Sequence, residues 1–331
     1  MEREETAPVR SAAAGCANGD GDKDMDDEIK LVIVGSIGLD TIKTPFDEGT
    51  DLLGGSVSYA CAAASFFGTV GMVGVVGEDF PGKYLSLYET LGIDTEGLQR
   101  KEGATFKWSG VYSDDMNERE TISTELNVFA SFMPDLPESY RKAPFVLLGN
   151  ISPDLQLHVL DQVENPRFVV ADTMDLWIKT EREKLMDVLG KTDMLMLNDG
   201  EARLLTGEYN LKRCAAKILE SGPEYVVIKK GEHGALLFGG DKVFIVPGFL
   251  VENVYDPTGA GDSFAGAFMG FLAARGNTGS EALKLALLYG AVVASFGVEA
   301  LSLDGFKTLD ADRIEARLRE LTNMIEVKGA G

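Results

Sequence analysis

The segment Asp256–Gly276, DPTGAGDSFAGAFMGFLAARG, is where residue types and spacing point most directly to chemistry. Gly259, Ala260 and Gly261 form a run of small residues just ahead of a helical pattern that begins near Asp262. Small residues let backbone N–H groups come close to a ligand, and a helix N-terminus adds partial positive charge. The combination predicts an anion hole built from backbone. Asp262, in the first helical turn, has two readings: a carboxylate complementing the helix dipole, or a base that accepts a proton from a hydroxyl beside it. The helix after it is small on one face, at Ala265, Gly266, Ala267 and Gly270, so it can pack tightly beneath the loop. No Gly-x-x-x-x-Gly-Lys-Ser/Thr run occurs, which excludes a P-loop phosphate site.

A backbone anion hole suits the charge of the chain. Its 331 residues carry 53 Asp and Glu against 31 Lys and Arg, a formal net charge of -22. Such a surface repels phosphodiester backbones and anionic lipid, so no nucleic-acid or membrane partner is expected. Cys16, Cys61 and Cys214 are scattered, and His158 and His233 lie far apart, so neither a disulfide framework nor a zinc pattern is present. Reduced thiols in a cytoplasmic protein are the expectation. No run of about 20 apolar residues marks a membrane span, and Leu285–Phe296 reads as a buried helix. Residues 1–29 are acidic and poor in large apolar side chains, which predicts a disordered tail ahead of one domain over 30–331.

The elements that must position the loop are legible as short, β-branched, nearly continuous apolar runs. They fall at 31–35, 72–76, 145–149, 168–172, 194–198 and 225–229, with helical patterns between several of them. Such runs are expected of strands covered on both faces, and their alternation with helices predicts an open, mostly parallel sheet. Three runs finish on Asp172, Asn198 and Lys229. Ligands of open α/β sheets bind beyond the carboxyl ends of the strands, so these are functional candidates. Segments 41–52 and 103–126 alternate in polarity and are rich in Thr, aromatic and charged residues, predicting a small sheet that stands off as a lid.

The whole string from Asp256 to Ala267 resembles the C-terminal signature of the PfkB, or ribokinase-like, carbohydrate kinases. The resemblance extends over nearly everything but the tail. It implies a three-layer α/β/α fold with a mostly parallel central sheet and a small β-sheet lid. It also implies ATP-dependent phosphorylation of a sugar or sugar-like hydroxyl, with Asp262 as base and the Gly259–Gly261 amides as anion hole. GSIGLD at 35–40 is similar to the family's first strand, whose following aspartate, here Asp40, binds substrate hydroxyls. LGGSVSYACAAASFFG at 53–68 resembles its first signature, with Gly54 and Gly55 at the substrate. The glycine-spaced stretch at 72–94 also matches. LNDGEARLLTG at 197–207 carries the family's Asn-x-x-Glu as Asn198 and Glu201, implying Mg²⁺ held through water near the phosphates. KKGEHGALLF at 229–238 places Lys229, Gly231 and Gly234 near the nucleotide, although a plain turn would explain the two glycines equally. Thr258 falls on the nucleotide side, and Asp256 matches a position that in this family neighbours a monovalent cation such as K⁺.

Two features depart from the family pattern. Tyr59 stands where the first signature places a substrate-contacting Asn, which changes the expected acceptor pocket. The lid concentrates Phe106, Trp108, Tyr112 and Arg119. Trp108 can stack on a purine or a sugar ring, and Arg119 can clamp a carboxylate or phosphate; alternatively these side chains pack within the lid or a dimer interface. A nucleoside kinase and a catalytically silent ligand-binding relative therefore stand as alternatives, and the family's lids imply a homodimer.

Overall fold

The computed structural model describes residues 28–326, apart from 115, 117–118 and 240–241; most of the expected N-terminal tail lies outside the described residues. The strands in chain order are β1 (Leu31–Val34), β2 (Gly38–Lys43), β3 (Glu48–Gly54), β4 (Val70–Val76), β5 (Ile93–Arg100), β6 (Phe106–Tyr112), β7 (Arg119–Glu125), β8 (Phe145–Leu148), β9 (Phe168–Asp172), β10 (Met194–Asn198), β11 (Tyr225–Lys229), β12 (Ala235–Gly239) and β13 (Lys242–Val246). The six apolar runs are β1, β4, β8, β9, β10 and β11. They lie side by side and parallel in a nine-stranded sheet of order β13-β12-β11-β10-β9-β8-β1-β4-β5. β12 and β13 extend it antiparallel.

Near-continuous apolarity follows from burial on both faces. In β1, Leu31 and Ile33 enter one hydrophobic core while Val32 and Val34 enter the other. Helices Ser56–Ala64, Ala260–Arg275 and Ser280–Gly297 cover the first face. Helices that include Pro153–Leu160, Arg182–Leu189 and Leu211–Leu219 cover the other. Each fully buried Leu, Ile or Val contributes about 1.5–3 kcal/mol. Ser280–Gly297 is long and apolar enough to cross a bilayer, yet two-thirds of it is buried within this core. The small face of Ala260–Arg275 has the predicted use: a Cβ on Gly266 would stand 2.0 Å from the Ala60 carbonyl oxygen. The helix bearing Asp262 is thereby seated against the helix that follows Gly55.

The alternating segments form the second sheet, of order β3-β2-β6-β7. β2 runs parallel to β6, and β6 antiparallel to β7, so Asp40 and Trp108 are register partners. Every residue of β7 is exposed. Three strands of the large sheet escape the sequence pattern: β12, which follows the turn after β11, and the two strands at the sheet edges. β5, IDTEGLQR, is an edge strand with much of its length in contact with water, and β13 exposes Val243 and Ile245 at the opposite edge. Neither edge strand presents the continuous apolar run by which the central strands are recognised.

Candidate active site

Gly259 caps the helix Ala260–Arg275 at φ 72°, in the left-handed region that glycine enters without steric penalty. A side chain there would also collide with the Tyr59 ring, whose Cγ lies 2.2 Å from the Cβ position. The Ala260 N–H turns back to the Pro257 carbonyl at 3.2 Å. The Ser263 N–H closes the first turn on the Gly259 carbonyl at 2.8 Å, and the Asp262 carboxylate takes a backbone hydrogen bond within its own residue, so Gly261 contributes the first-turn amide best placed to meet an anion. Asp256 fixes the loop from below. It is 1% exposed, accepts the Thr258 N–H on Oδ1 and the Ser302 N–H on Oδ2, both at 2.9 Å, and burial raises its pKa. Thr258 Oγ1 shares a 2.9 Å hydrogen bond with the Tyr112 hydroxyl of β6, which ties the lid to the loop.

The ends of the central strands bring charge to this loop. The Asn198 and Lys229 Cα positions are register partners, and Asp172 lies one strand further on, opposite Met196. Lys229 Nζ donates to Asp172 Oδ2 at 3.0 Å and lies 3.1 Å from where a Cβ on Gly261 would stand. Burial works against the Lys229 cation, but Asp172, Glu201 and Asp262 outweigh it and raise its pKa. Burial, then the Asp172 charge, pushes Asp262 up to about 7, opposed by Lys229 and by Arg119 of the lid. A carboxyl poised near neutrality, in the first turn of a helix and beside a cation, matches what a general base requires. Asn198 and Glu201 form a reciprocal cap: Glu201 Oε2 accepts the Asn198 N–H at 2.7 Å and Asn198 Oδ1 accepts the Glu201 N–H at 2.8 Å. Glu201 is also raised to about 7, by burial and then by Asp172.

Across the cleft, Asp40 is 3% exposed and its Oδ1 has no hydrogen-bond partner among the described residues. Its carboxylate fills the space beside Gly54, where a Cβ would fall 1.9 Å from Oδ2. Burial, reinforced by Asp256, pushes its pKa up to about 7, with Arg119 pulling it down. Gly55, at φ 93°, opens the next helix and lies against Ser36 and Ile37, where a Cβ would meet Ser36 O at 2.3 Å. The Arg119 guanidinium lies over the Trp108 ring, 5.5 Å from its centroid, and acts on both Asp40 and Asp262. One lid cation thus bears on both sides of the cleft.

The structure brings most of the predicted residues together, with two differences of emphasis. Tyr59 is 2% exposed and supports Gly259 from beneath, so its ring shapes the loop more than it lines an open surface. Gly231 (φ 55°) and Gly234 (φ 84°) frame the short turn between β11 and β12, and a Cβ on Gly234 would meet Val246 O at 2.0 Å. That packing accounts for Gly234 as a turn. Asp172 and Tyr112, in contrast, engage Lys229 and Thr258 directly, although the motifs did not select them. Their signals were a strand-terminal polar group and an aromatic in the lid.

A large, mostly parallel α/β sheet with a separate small β lid is the architecture of the ribokinase fold. Residues 42–299 match the pfkB family carbohydrate kinase model, and the chain belongs to that family. It is similar to a cytidine kinase of Thermococcus kodakarensis, 30% identical over 78% of this chain and 94% of that protein. Among solved structures it resembles the Methanocaldococcus jannaschii nucleoside kinase, an archaeal member of the ribokinase family (22% identity, TM-score 0.71, 88% of this chain and 99% of that one). It also resembles Arabidopsis thaliana ribokinase complexed with ribose and ATP (23% identity, TM-score 0.70, with the same coverage of both chains). The fold is that of the ribokinases, and the enzyme is a phosphotransferase with an alcohol acceptor.

Proposed function

We propose that the protein transfers the γ-phosphoryl group of ATP to a hydroxyl of a small sugar or sugar-like acceptor. The observation that carries this reading is Asp262, poised near neutrality at a glycine-capped helix N-terminus with Lys229 beside it. Asp40 accepts hydrogen bonds from acceptor hydroxyls, against the flat surface left by Gly54. Asp262 takes the proton of the attacking hydroxyl as its oxygen bonds to the γ-phosphorus and the bond to the bridging oxygen breaks, releasing ADP. The amides at the start of the helix stabilise charge on the transferring group, which in phosphoryl transfer matters more than covalent catalysis. Closure of the lid would exclude water, whose attack would waste ATP.

Glu201 fits a hydrated Mg²⁺: one carboxylate oxygen is held by the Asn198 N–H, and the group keeps lone pairs for a metal-bound water. When bound, that ion would neutralise phosphate charge. Asp256 fits a monovalent cation less well, because both of its oxygens are engaged by backbone N–H groups. Asn198, Lys229 and Thr258 face the nucleotide in this reading, with the Gly231–Gly234 turn at its edge. A second copy is proposed to pair through β7, the exposed edge strand of the small sheet.

A nucleoside acceptor is the second reading, favoured by the similarity to cytidine kinase and by the Trp108–Arg119 pair on the lid. The test is a coupled ADP-release screen over sugars, polyols and nucleosides with Mg²⁺, run beside Asp262→Asn. An acceptor whose turnover vanishes in the variant supports the reading and names the substrate class. Undiminished turnover in the variant would overturn it.

A further inference from the structure

We propose that Asp172 is a positioning residue for phosphoryl transfer: it holds the Lys229 ammonium at the mouth of the anion hole, beside Gly261, where the transferring group meets a fixed cation. This inference rests on the reading of Asp262 and its loop as the transfer site. Asp172 ends β9 and Lys229 ends β11, so their 3.0 Å contact reaches across the intervening β10. The side chains are 7% and 15% exposed. Asp172 is itself oriented: its Oδ1 accepts the Thr173 N–H at 2.8 Å and its carbonyl accepts Gln156 Nε2 at 2.9 Å. That leaves Oδ2 directed to Lys229.

The placement distinguishes this pair from an ion pair that only joins strands. Lys229 Nζ lies against the N-terminal turn of the helix Ala260–Arg275, which carries partial positive charge. The helix turn by itself opposes a cation there, the neighbouring carboxylates outweigh that opposition, and an anion lying between the ammonium and the helix amides would satisfy both. Asp262 offsets part of this repulsion but is a proton acceptor in the reaction. Three carboxylates surround Lys229: Asp172 from β9, Glu201 from the helix Asp199–Thr206, and Asp262. Asp262 in turn faces Asp172, Lys229 and Arg119. In this arrangement Lys229 is a catalytic residue that contacts the phosphoryl group, and Asp172 acts through it.

The test compares wild type with Asp172→Asn, Lys229→Met and Lys229→Arg, using the acceptor found in the ADP-release screen. Both neutral variants are expected to lower kcat at least tenfold while the acceptor KM stays within about threefold. The acidic limb of kcat/KM should move in opposite directions. Asp172 raises the Asp262 pKa, so Asp172→Asn moves the limb to lower pH. Lys229 lowers it, so Lys229→Met moves the limb to higher pH. Lys229→Arg should restore the limb. Because a buried pair is being broken, calorimetric titration with ADP and a non-hydrolysable ATP analogue supplies a readout independent of turnover. Wild type should prefer the analogue, and Lys229→Met should lose that preference. Unmoved limbs, or an unchanged preference for the analogue in Lys229→Met, would overturn the proposal. If Asp262→Asn is inactive in the same assay, that failure belongs to the Asp172–Lys229 pair alone; if Asp262→Asn is active, the underlying reading fails instead.

Discussion

Replacing Asp262 by Asn should abolish turnover and at the same time stabilise the fold, in a pH-dependent way that follows from its surroundings. The carboxyl has a pKa of about 7 in the folded protein against an ordinary 3.8, chiefly through burial and the neighbouring Asp172 charge. A raised folded-state value means that the neutral acid is favoured on folding. The associated stability is complete below about pH 4 and is lost as pH rises through 7. At 1.36 kcal/mol per pKa unit, the penalty of the ionised group has a ceiling of roughly 4 kcal/mol at pH 8, shrinking to below 2 at pH 5. Asparagine keeps the shape and escapes the penalty. Thermal unfolding of Asp262→Asn should therefore shift upward by several degrees at pH 8 and by clearly less at pH 5, given roughly 2 °C per kcal/mol for a chain of this size. Over the same range the coupled assay should report a kcat lowered about 10²–10⁴-fold, the usual contribution of a general base. A variant that loses activity with no gain at pH 8 would refute the burial argument. A variant that gains stability yet keeps kcat within tenfold would refute the assignment of the base.

Four further outcomes follow from contacts in the site. Gly259→Ala should fold less stably by about 1–2 kcal/mol for the left-handed backbone alone, more through the Tyr59 collision, as read by urea unfolding. Gly261→Ala meets only the Lys229 side chain, whose Nζ is 3.1 Å from the new Cβ and need give way only slightly from its place beside Asp172, so kcat should fall with little change in Tm; an equal loss of stability would contradict the geometry. Asp40→Asn should raise the acceptor KM roughly 10- to 100-fold at pH 8, the value of hydrogen bonds to a charged group, and leave the ATP KM unchanged. A matched rise in the ATP KM would move Asp40 out of the acceptor site. Tyr59→Phe should leave the acceptor KM within about twofold, because the hydroxyl lies in a side chain only 2% exposed; a large rise would return Tyr59 to direct substrate contact.

Much of the architecture is local in origin and so was legible in the chain. Residues 31–34, 168–172 and 194–198 read as central strands because burial on both faces demands an unbroken apolar run. The helix behind Asp262 read as tightly packed because Gly266 and Gly270 tolerate no side chain against Ala60 and Ala64. β5 and β13 were not legible, since edge strands meet water on part of their surface and lose that signature.

For the site, the chain alone determined the local features: a run of small residues ahead of a helix and the carboxylate of Asp262 in its first turn are consequences of neighbouring residues. Tertiary structure decided the electrostatics. Asp172 and Lys229 are 57 residues apart and meet only because β9 and β11 flank β10. Arg119 reaches Asp40 and Asp262 only because the lid sheet pairs β6 with β2 and β7. Tyr59 passes from an expected pocket residue to a support for Gly259 because two distant helices pack through small residues. Coulomb interactions depend on distance and local dielectric, and both are set by the folded arrangement rather than by spacing along the chain.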